Sequence, residues 1–494
     1  MKIYIINNTF HYEMENLTRV FFPNEKIEII KCTAVPQDAL DSPYVATSVE
    51  SADNYSRVSV QTVFDDFSKN IAQQVEYVED TEEYQTELER TMAVCLYKLL
   101  SEYTGLTPPW GILTGVRPIK LFRKMAEDMG TENAKRHFRD KFLVLEEKVQ
   151  LAEETEKNER AILRTSSVNS YSLYVSIPFC PSRCSYCSFI SQATLKAKKL
   201  IEPYVELLCR ELEETAKILK GKNLKLETVY IGGGTPTTLN AQQLERLIAT
   251  INRCFPMEQC REFTVEAGRP DTITEDKLKA ILNGGADRIS INPQTMNDTV
   301  LEAIGRKHTA QQTIEAYTLA RAVGFNHINM DLIVGLPKDN LESFENTLNT
   351  ITELDPESIT VHTLSMKRSS NLTIQGVKIM RQDADTASAM HTYCKGILES
   401  KGYHPYYLYR QSRMVGNLEN IGYSKPDRDG LYNVFIMDET HTILGCGAGA
   451  VTKLKNGTTG SLSRVFNYKY PDWYVNDFDE ILRRKQEISD FFNK

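Results

Sequence analysis

The chain has 494 residues, of which 41% are hydrophobic, 25% charged and 9% aromatic. At about 150 residues per domain this length predicts roughly three domains. The ordinary composition excludes a wholly disordered chain, a collagen and a small disulfide-bonded scaffold. The net charge is −8, from 58 basic and 66 acidic side chains, so no global positive field attracts nucleic acid. We predict no nucleic-acid partner, and a local basic patch stays open.

The start of the chain shows no sign of export or membrane insertion. Its first ten residues, MKIYIINNTF, lack the basic region, long apolar core and cleavage site of a signal peptide. No apolar run approaches the ~18 residues that a membrane helix requires. We therefore expect a cytoplasmic protein with no membrane association.

The first 105 residues predict a small α+β module, 1–105. Apolar runs at 3–6 and 27–30 are typical of strands, and 60–63 is either another strand or the start of a helix. Leucines and other apolar residues at helical spacing predict a helix over 82–103. This module shows no chemistry of its own.

Residues 106–168 predict a connecting segment that is mainly helical. A charged helical stretch runs over 120–164, and the polar, turn-rich residues 166–170 mark a domain boundary.

Regular alternation of strands and helices characterises residues 169–375. Six short β-type runs are found at 172–177, 228–231, 262–266, 287–291, 327–333 and 358–362. Helical stretches separate them at 199–220, 240–253, 274–283, 297–323 and 340–353. Such units imply parallel strands with crossover helices. Because eight units would close a full barrel, six predict an α/β fold with a partial (β/α)6 barrel, or a doubly wound sheet.

Beyond residue 375 the alternation fades, and 376–494 predict a C-terminal α+β domain that covers the open side of the sheet. It contains a helix near 384–400, an aromatic stretch at 403–409 and a glycine-rich turn at 445–449.

The ten cysteines are unevenly distributed. Cys180, Cys184 and Cys187 form a CxxxCxxC loop directly after the first strand of the alternating domain. In a chain without an export signal, such a cluster indicates a metal site or redox centre. Three thiolates on one loop can hold three corners of an iron–sulfur cubane and leave one iron open. The alternatives are structural zinc, which needs a fourth nearby ligand, and three core cysteines; the other seven are expected to be core residues.

This cysteine loop resembles the signature of the radical S-adenosylmethionine (SAM) superfamily, which follows the first strand of a partial barrel. A glycine-rich turn at 232–236 follows the second predicted strand, and the resemblance spans about 171–365. Further motifs lie at 265–270, 290–294, 303–306, 329–333 and 335–337. Together they resemble the oxygen-independent coproporphyrinogen III oxidase (dehydrogenase) family. Similarity to its HemZ-like branch, which adds an N-terminal extension, rests on 111–118, 408–411 and 445–449.

The resemblance implies a role for each matching residue. Cys180, Cys184 and Cys187 would hold a 4Fe–4S cluster. One or two SAM molecules would lie in a pocket lined by Tyr174, Tyr186, Gly233, Gly234, Thr235, Glu266, Gln294, Arg306 and Asp331. No residue is predicted to act as a proton donor or acceptor.

The family resemblance also implies a reaction, the oxidative decarboxylation of two propionates of coproporphyrinogen III to vinyl groups. The product, protoporphyrinogen IX, belongs to anaerobic heme biosynthesis, and an electron donor such as flavodoxin or ferredoxin is implied. Because this tetrapyrrole carries four propionates, we expect a basic clamp. The candidates are Lys367, Arg368, Arg410 and Arg413.

The chain departs from the family pattern at three places. Ser176 replaces the usual histidine of the first-strand motif, and Phe189 replaces a further cysteine of the well-known decarboxylating members. Residues 416–421 lack the histidine and the Tyr-Trp pair of the HNxxYW heme-binding motif in the heme-chaperone branch. The alternative functions are a heme-binding or heme-transfer chaperone and a radical SAM enzyme that methylates or opens a tetrapyrrole ring.

Overall fold

The computed structural model describes residues 1–37, 43–77, 79, 81–367, 369–378 and 380–493. Arg368, one of the predicted substrate residues, lies outside the described residues. The chain forms two compact units. Their segments are Met1–Glu156, Val377–Asp385 and Tyr409–Glu419 for the first, and Lys157–Gly376, Thr386–Leu408 and Asn420–Lys494 for the second. The C-terminal residues are thus divided between the two units.

The first unit contains a five-stranded sheet, one helix inserted between its first two strands, and the helices that follow the sheet in the chain. Its strands are β1 (Lys2–Ile6), β2 (Glu28–Cys32), β3 (Tyr44–Ser51), β4 (Tyr55–Phe64) and β5 (Phe67–Glu76). Its helices are α1 (His11–Phe21), α2 (Glu82–Thr104), α3 (Pro118–Met129), α4 (Thr131–Asp140) and the first part of α5 (Glu146–Leu163). The strand order is β2-β1-β3-β4-β5. Residues 60–63 lie within β4 and therefore belong to a strand.

Sequence patterns explain the core of this unit. Alternate residues of β4, including Val58 and Val60, are fully buried, as expected for a strand with one face on a core. They share an apolar cluster with Met14 of α1 and Met92 of α2. The Thr81 hydroxyl caps α2 by accepting the Tyr84 N–H.

The second unit contains most of the remaining elements. Its strands are β6 (Ser170–Ile177), β7 (Phe179–Cys180), β8 (Gln192–Ala193), β9 (Lys225–Gly233), β10 (Glu262–Glu266), β11 (Arg288–Ser290), β12 (Ile328–Val334), β13 (Ser358–Thr363), β14 (His404–Tyr409), β15 (Asn420–Ser424), β16 (Thr442–Cys446), β17 (Val451–Lys455) and β18 (Leu462–Phe466). Its helices are α6 (Thr194–Leu219), α7 (Ala241–Cys254), α8 (Glu275–Asn283), α9 (Asp298–Ala303), α10 (Ala310–Val323), α11 (Leu341–Leu354), α12 (Asn371–Ile374), α13 (Arg381–Ser400), α14 (Leu431–Asp438), α15 (Pro471–Asn476) and α16 (Phe478–Phe492).

An eleven-stranded sheet forms the centre of this unit, in the order β14-β15-β13-β12-β11-β10-β9-β6-β16-β17-β18. The six predicted strands, β6 and β9 to β13, are consecutive neighbours and parallel throughout. The α/β fold with six parallel strand–helix units is therefore confirmed.

Strands of the C-terminal region join this sheet instead of forming a layer of their own. β16 pairs in parallel with β6, and β15 pairs antiparallel with β13. The predicted helix 297–323 is two helices, α9 and α10, because the chain turns between them at Gly305 with a positive φ of 77°. In the described part of the chain, no helix is long and apolar enough to cross a membrane.

Candidate active site

The candidate site lies where the parallel strands of the second unit end. Ile177 at the end of β6 is in register with Gly233 at the end of β9. The cysteine loop follows β6, and a short parallel bridge pairs Phe179 with Gln192 and Cys180 with Ala193. Carboxyl ends of parallel strands are the usual location of active sites in α/β folds.

The three cysteines of this loop are free thiols. Cys184 is buried, whereas Cys180 and Cys187 are half-buried. The Thr235 hydroxyl donates to Cys180 Sγ at 3.5 Å, and Nη1 of Arg269 lies 3.7 Å from Cys184 Sγ. Burial raises the pKa of the Cys187 thiol to about 11. The loop therefore presents three sulfur ligands, two of them beside polar donors.

The glycine-rich turn after β9 lies directly against this loop. Gly233 has a φ of 105°, which favours glycine. The Gly234 N–H donates to the Ile177 carbonyl at 2.8 Å. A Cβ on Gly234 would lie 2.6 Å from the Phe179 carbonyl oxygen, so a side chain there would push the turn away from the loop.

Arg306 ties the cysteine loop to the neighbouring strand ends. It is buried, and its Nη2 donates to the Tyr186 hydroxyl at 3.1 Å. Its Nη1 donates to the carbonyls of Gly268 at 3.1 Å and Asn292 at 2.7 Å. Its Nε has no hydrogen-bond partner among the described groups. One guanidinium thus links three segments and retains one donor for a ligand.

Glu266, at the end of β10, adjoins a stack of three tyrosines. The ring centroids of Tyr230 and Tyr432 are 4.4 Å apart, and those of Tyr174 and Tyr432 are 6.2 Å apart. The Tyr230 hydroxyl donates to Glu266 Oε1 at 2.6 Å. Burial raises the pKa of Glu266 to about 7, although the Tyr230 hydrogen bond acts in the opposite direction. This carboxyl can therefore change charge near neutral pH.

Gln294 lies in the connection after β11, and Asp331 lies within the neighbouring strand β12. Gln294 has a left-handed φ of 69°, its N–H donates to the Asp331 carbonyl at 2.9 Å, and its buried Oε1 has no described partner. Asn329 Nδ2 donates to Asp331 Oδ1 at 2.7 Å, and His362 Nε2 lies 3.6 Å from Oδ2. Burial alone would raise the pKa of Asp331, but His362 and Asn329 hold it below its usual value.

Ser176, at the position of the family's histidine, contacts the glycine-rich turn of the C-terminal region. Its hydroxyl donates to the Ala448 carbonyl at 2.7 Å, and its own carbonyl accepts the Tyr204 hydroxyl at 2.8 Å. A Cβ on Gly447 would come within 2.5 Å of that carbonyl oxygen. The Ser176 hydroxyl therefore holds the end of β6 against the turn at 445–449 through its hydrogen bond to a main-chain carbonyl.

The described candidates for substrate binding belong to different units, Lys367 to the second and Arg410 and Arg413 to the first. Lys367 is half-buried, and burial lowers its pKa. Arg410 belongs to the first unit and is 3% exposed; its guanidinium donates to the Leu113 carbonyl and lies over the Trp110 ring. Its surroundings therefore do not support the predicted clamp role. Arg413, also in the first unit, has a φ of 60°.

Several groups at the site were not singled out from the sequence. Arg269 lies within the motif at 265–270, and its basic charge in that motif is the sequence signal that could identify it. Tyr432 stacks on Tyr230 from far along the chain, and no sequence pattern indicates that pairing. His362 ends the sixth predicted strand and has no predicted role, whereas the structure places it against Asp331.

These residues fit a 4Fe–4S cluster with SAM beside it. The thiols share one loop, the glycines allow close backbone approach, and the unpartnered atoms of Gln294 and Arg306 are buried polar groups that a ligand would satisfy. Among the described residues no three His, Cys, Asp or Glu side chains converge on a single metal ion. A cubane does not require such convergence, because each thiolate binds a different iron.

The fold and the cysteine loop define a radical SAM protein, and the model of the Radical SAM superfamily matches residues 174–351. The chain is 40% identical over 403 residues, 81% of its length and 80% of the relative's, to the oxygen-independent coproporphyrinogen-III oxidase-like protein HemZ of Bacillus subtilis. It therefore belongs to the oxygen-independent coproporphyrinogen III oxidase family, within its HemZ-like branch. This membership implies a 4Fe–4S cluster and SAM.

Two further comparisons describe the range of this family. The heme chaperone HemW of Lactococcus lactis is 30% identical over 322 residues, which are 65% of this chain and 79% of HemW. The structure of the coproporphyrinogen III oxidase HemN of Escherichia coli, a radical SAM enzyme, superposes with a TM-score of 0.52 at 24% identity. That match covers 65% of this chain and 72% of HemN, and it supports the fold alone.

Glu266 should make thermal stability depend on pH. Its folded pKa of about 7 exceeds the ordinary carboxyl value of 4.5, so the folded state binds more protons between these values. Its contribution is fully present below pH 4.5 and is lost as pH rises through about 7. In E266Q we expect the decline in Tm between pH 5 and pH 8 to be smaller than in wild type by about 2–5 °C.

The control for this measurement is E302Q, which changes an exposed glutamate on α9. It should retain the wild-type pH dependence. Parallel Tm curves for wild type and E266Q would contradict the raised pKa of Glu266. The Tm values of wild type, E266Q and E302Q are measured by scanning calorimetry on the apo proteins at constant ionic strength.

Proposed function

We propose that the protein catalyses the radical SAM oxidative decarboxylation of coproporphyrinogen III to protoporphyrinogen IX. Each of two propionates would lose a hydrogen atom, carbon dioxide and one further electron, which passes to a one-electron acceptor. The observation that carries this proposal is the arrangement in which Arg306 joins the cysteine loop to the segments that follow β10 and β11, with the glycine turn against the same loop, in a chain of this family. Coproporphyrinogen III oxidases are among its relatives. The geometry of the second unit therefore supports an enzyme that acts on a tetrapyrrole.

The chain's own residues would hold and shield the reacting groups. The three cysteines would bind the cluster, and Arg306 would keep the cysteine loop against the ends of β10 and β11. The cluster with SAM supplies one-electron cleavage of SAM and thereby the means to remove a hydrogen atom from a propionate. Gly233 and Gly234 would bring the backbone close to SAM, and the stack of Tyr174, Tyr230 and Tyr432 would keep water away from the reacting atoms.

The chaperone alternative is weakened by the stretch that replaces its heme-binding motif. Glu419 is fully buried, and its carboxylate accepts the Trp110 Nε1–H at 2.7 Å and the Lys148 ammonium at 2.9 Å. Leu418 beside it is 1% exposed. This stretch therefore packs into the first unit and offers no imidazole to a heme iron.

The test uses anaerobically reconstituted full-length protein with reduced methyl viologen, SAM and coproporphyrinogen III. We expect vinyl product and 5′-deoxyadenosine, both identified by mass spectrometry. The E266Q variant should lose at least about tenfold in rate, as for removal of a ligand-positioning group, whereas E302Q should match wild type.

Other outcomes would replace this proposal. Stoichiometric, tight heme binding with no conversion of coproporphyrinogen III would favour a heme chaperone. Formation of a methylated or linear tetrapyrrole would favour the third reaction class. SAM cleavage that is uncoupled from every tetrapyrrole tested would show that the substrate assignment is wrong while the radical SAM assignment holds.

A further inference from the structure

The segment around the cysteine loop has a charge opposite to that of the whole chain. Residues 178–201 contain four basic side chains and no acidic one, whereas the complete chain carries a net charge of −8. These side chains are Arg183, Lys196, Lys198 and Lys199. The overall negative charge does not exclude a local basic patch, and this segment is one.

All four basic groups are exposed on the second unit. Within the described ranges, Lys196, Lys198 and Lys199 have no ion-pair partner. Arg183 Nη2 donates to the Ser369 carbonyl at 2.8 Å, a neutral group that leaves its positive charge uncompensated. The region therefore projects a positive field into solvent.

Adjoining carboxylates offset only part of this field. Asp472 accepts a hydrogen bond from the neutral Gln192 and keeps its negative charge, so it offsets one of the four positive charges. Glu202 accepts Gln243 Nε2 and Arg246 Nη2, each at 2.7 Å. Arg246 thus compensates the charge of Glu202, and the lysines at the start of α6 keep theirs.

Large apolar side chains are exposed on the same surface. Leu195 is 86% exposed and Phe189, in the cysteine loop, is 68% exposed. The hydrogen bond between Gln192 and Asp472 holds α15 beside the loop, where Trp473 is 58% exposed. We define the basic–aromatic patch as Arg183, Leu195, Lys196, Lys198, Lys199 and Trp473. Apolar and aromatic groups with surrounding charge are typical of interaction surfaces.

The patch lies close to the ligands of the cluster. Ala193 pairs with Cys180 across the short parallel bridge, and paired strands are about 5 Å apart. Leu195 is two residues further on, which adds at most about 7 Å. A protein bound here would therefore come within about 12 Å of the Cys180 backbone.

We propose that the basic–aromatic patch docks an acidic one-electron carrier protein that reduces the cluster. This inference rests on the proposed function, because radical SAM chemistry consumes an electron. The carrier is oxidised by one electron and the cluster is reduced by one, and no covalent bond in either protein changes. The charge of the patch attracts such a partner while the acidic remainder of the chain repels it, so the patch also selects its orientation.

The patch comprises six side chains, which agrees with a transient carrier complex. Electron-transfer complexes are weak and bury less than about 1,200 Å², and their association depends strongly on electrostatic steering. Nucleic acid bound at the same charges would not explain why the patch adjoins Cys180.

The test compares two charge-reversed holoproteins with the same change in net charge. K196E/K198E/K199E alters the patch, and K26E/K124E/K401E alters exposed lysines elsewhere. Each is mixed anaerobically with reduced flavodoxin, and cluster reduction is followed by absorbance. We expect the patch variant to lose at least about tenfold in second-order rate at low salt, with a smaller loss in the control. Reduction by methyl viologen radical cation should not slow in either variant.

Direct binding gives a readout that is independent of turnover. Flavodoxin affinity, measured by calorimetric titration of the reconstituted protein, should fall in the patch variant and lose its salt dependence. W473A should weaken binding while the salt dependence remains. Equal losses in both charge-reversed proteins, or none, would overturn the proposal. Failure to convert coproporphyrinogen III with methyl viologen would count against the proposed function and leave the docking result valid.

Discussion

Replacing Cys184 with Ala should abolish both the iron–sulfur cluster and the cleavage of SAM. Cys184 is 8% exposed and its Sγ lies 3.7 Å from Nη1 of Arg269, so its thiolate would bind in a shielded, positively charged environment. Loss of a group that only hydrogen-bonds to a metal ligand costs about 10–100-fold in metal affinity or activity. Removal of a ligand should exceed that range, and SAM cleavage should fall below detection.

Iron and sulfide content, brown absorbance and 5′-deoxyadenosine formation measure this effect after anaerobic reconstitution. C209A is the matched control, because Cys209 is a half-buried cysteine on α6 outside the loop. It should retain the cluster and wild-type cleavage. A C184A protein that still carries the cluster and cleaves SAM would show that the ligand assignment is wrong.

The strand pattern of the second unit was accessible from sequence because its parallel strands are buried on both faces. Their short apolar runs alternate with amphipathic helices, and this periodicity indicates the topology without further information. In contrast, β5 exposes most of its side chains, so its sequence carries little strand signal. It forms because β4 offers a complete antiparallel partner.

The candidate site was predictable where short motifs follow strands. Glu266 ends β10 and Gly233 ends β9, and both positions follow from strand boundaries alone. Arg410 illustrates the limit of charge as a signal. The same guanidinium chemistry that binds propionates also binds main-chain carbonyls, as Arg410 does here, so charge alone does not distinguish these roles.

Contacts between distant parts of the chain explain the remaining differences between the sequence predictions and the structure. Strands β15 and β16 add to opposite sides of the parallel strands, although local sequence cannot specify which edge a later strand joins. The stacking of Tyr432 on Tyr230 depends on α14, whose first N–H groups are held by the buried Glu262 carboxylate. Such long-range pairings require the folded structure.

A buried ion pair between α6 and α16 yields the largest expected loss of stability in the second unit. Lys485 is 2% exposed and Glu211 is fully buried, and Nζ of Lys485 lies 2.8 Å from Oε1 of Glu211. Glu211 also accepts the Gly447 N–H at 2.7 Å and the Tyr474 hydroxyl at 2.6 Å. Burial alone would lower the pKa of Lys485, but Cys446 and Glu211 hold it above its usual value, so the ammonium is charged.

K485M should therefore destabilise the folded protein by about 3–5 kcal/mol, because the Glu211 carboxylate stays buried without its counter-charge. We expect Tm to fall by roughly 5–10 °C. The K217M control removes an exposed lysine that pairs with Glu214 on the same helix, and its cost should be below about 1 kcal/mol. In K485M/E211Q the charge is removed from both partners while one acceptor oxygen remains, so stability should recover by at least about 1 kcal/mol relative to K485M. A double variant less stable than K485M would show that the hydrogen bonds of Glu211 to the turn at 445–449, and not its charge balance, dominate this network.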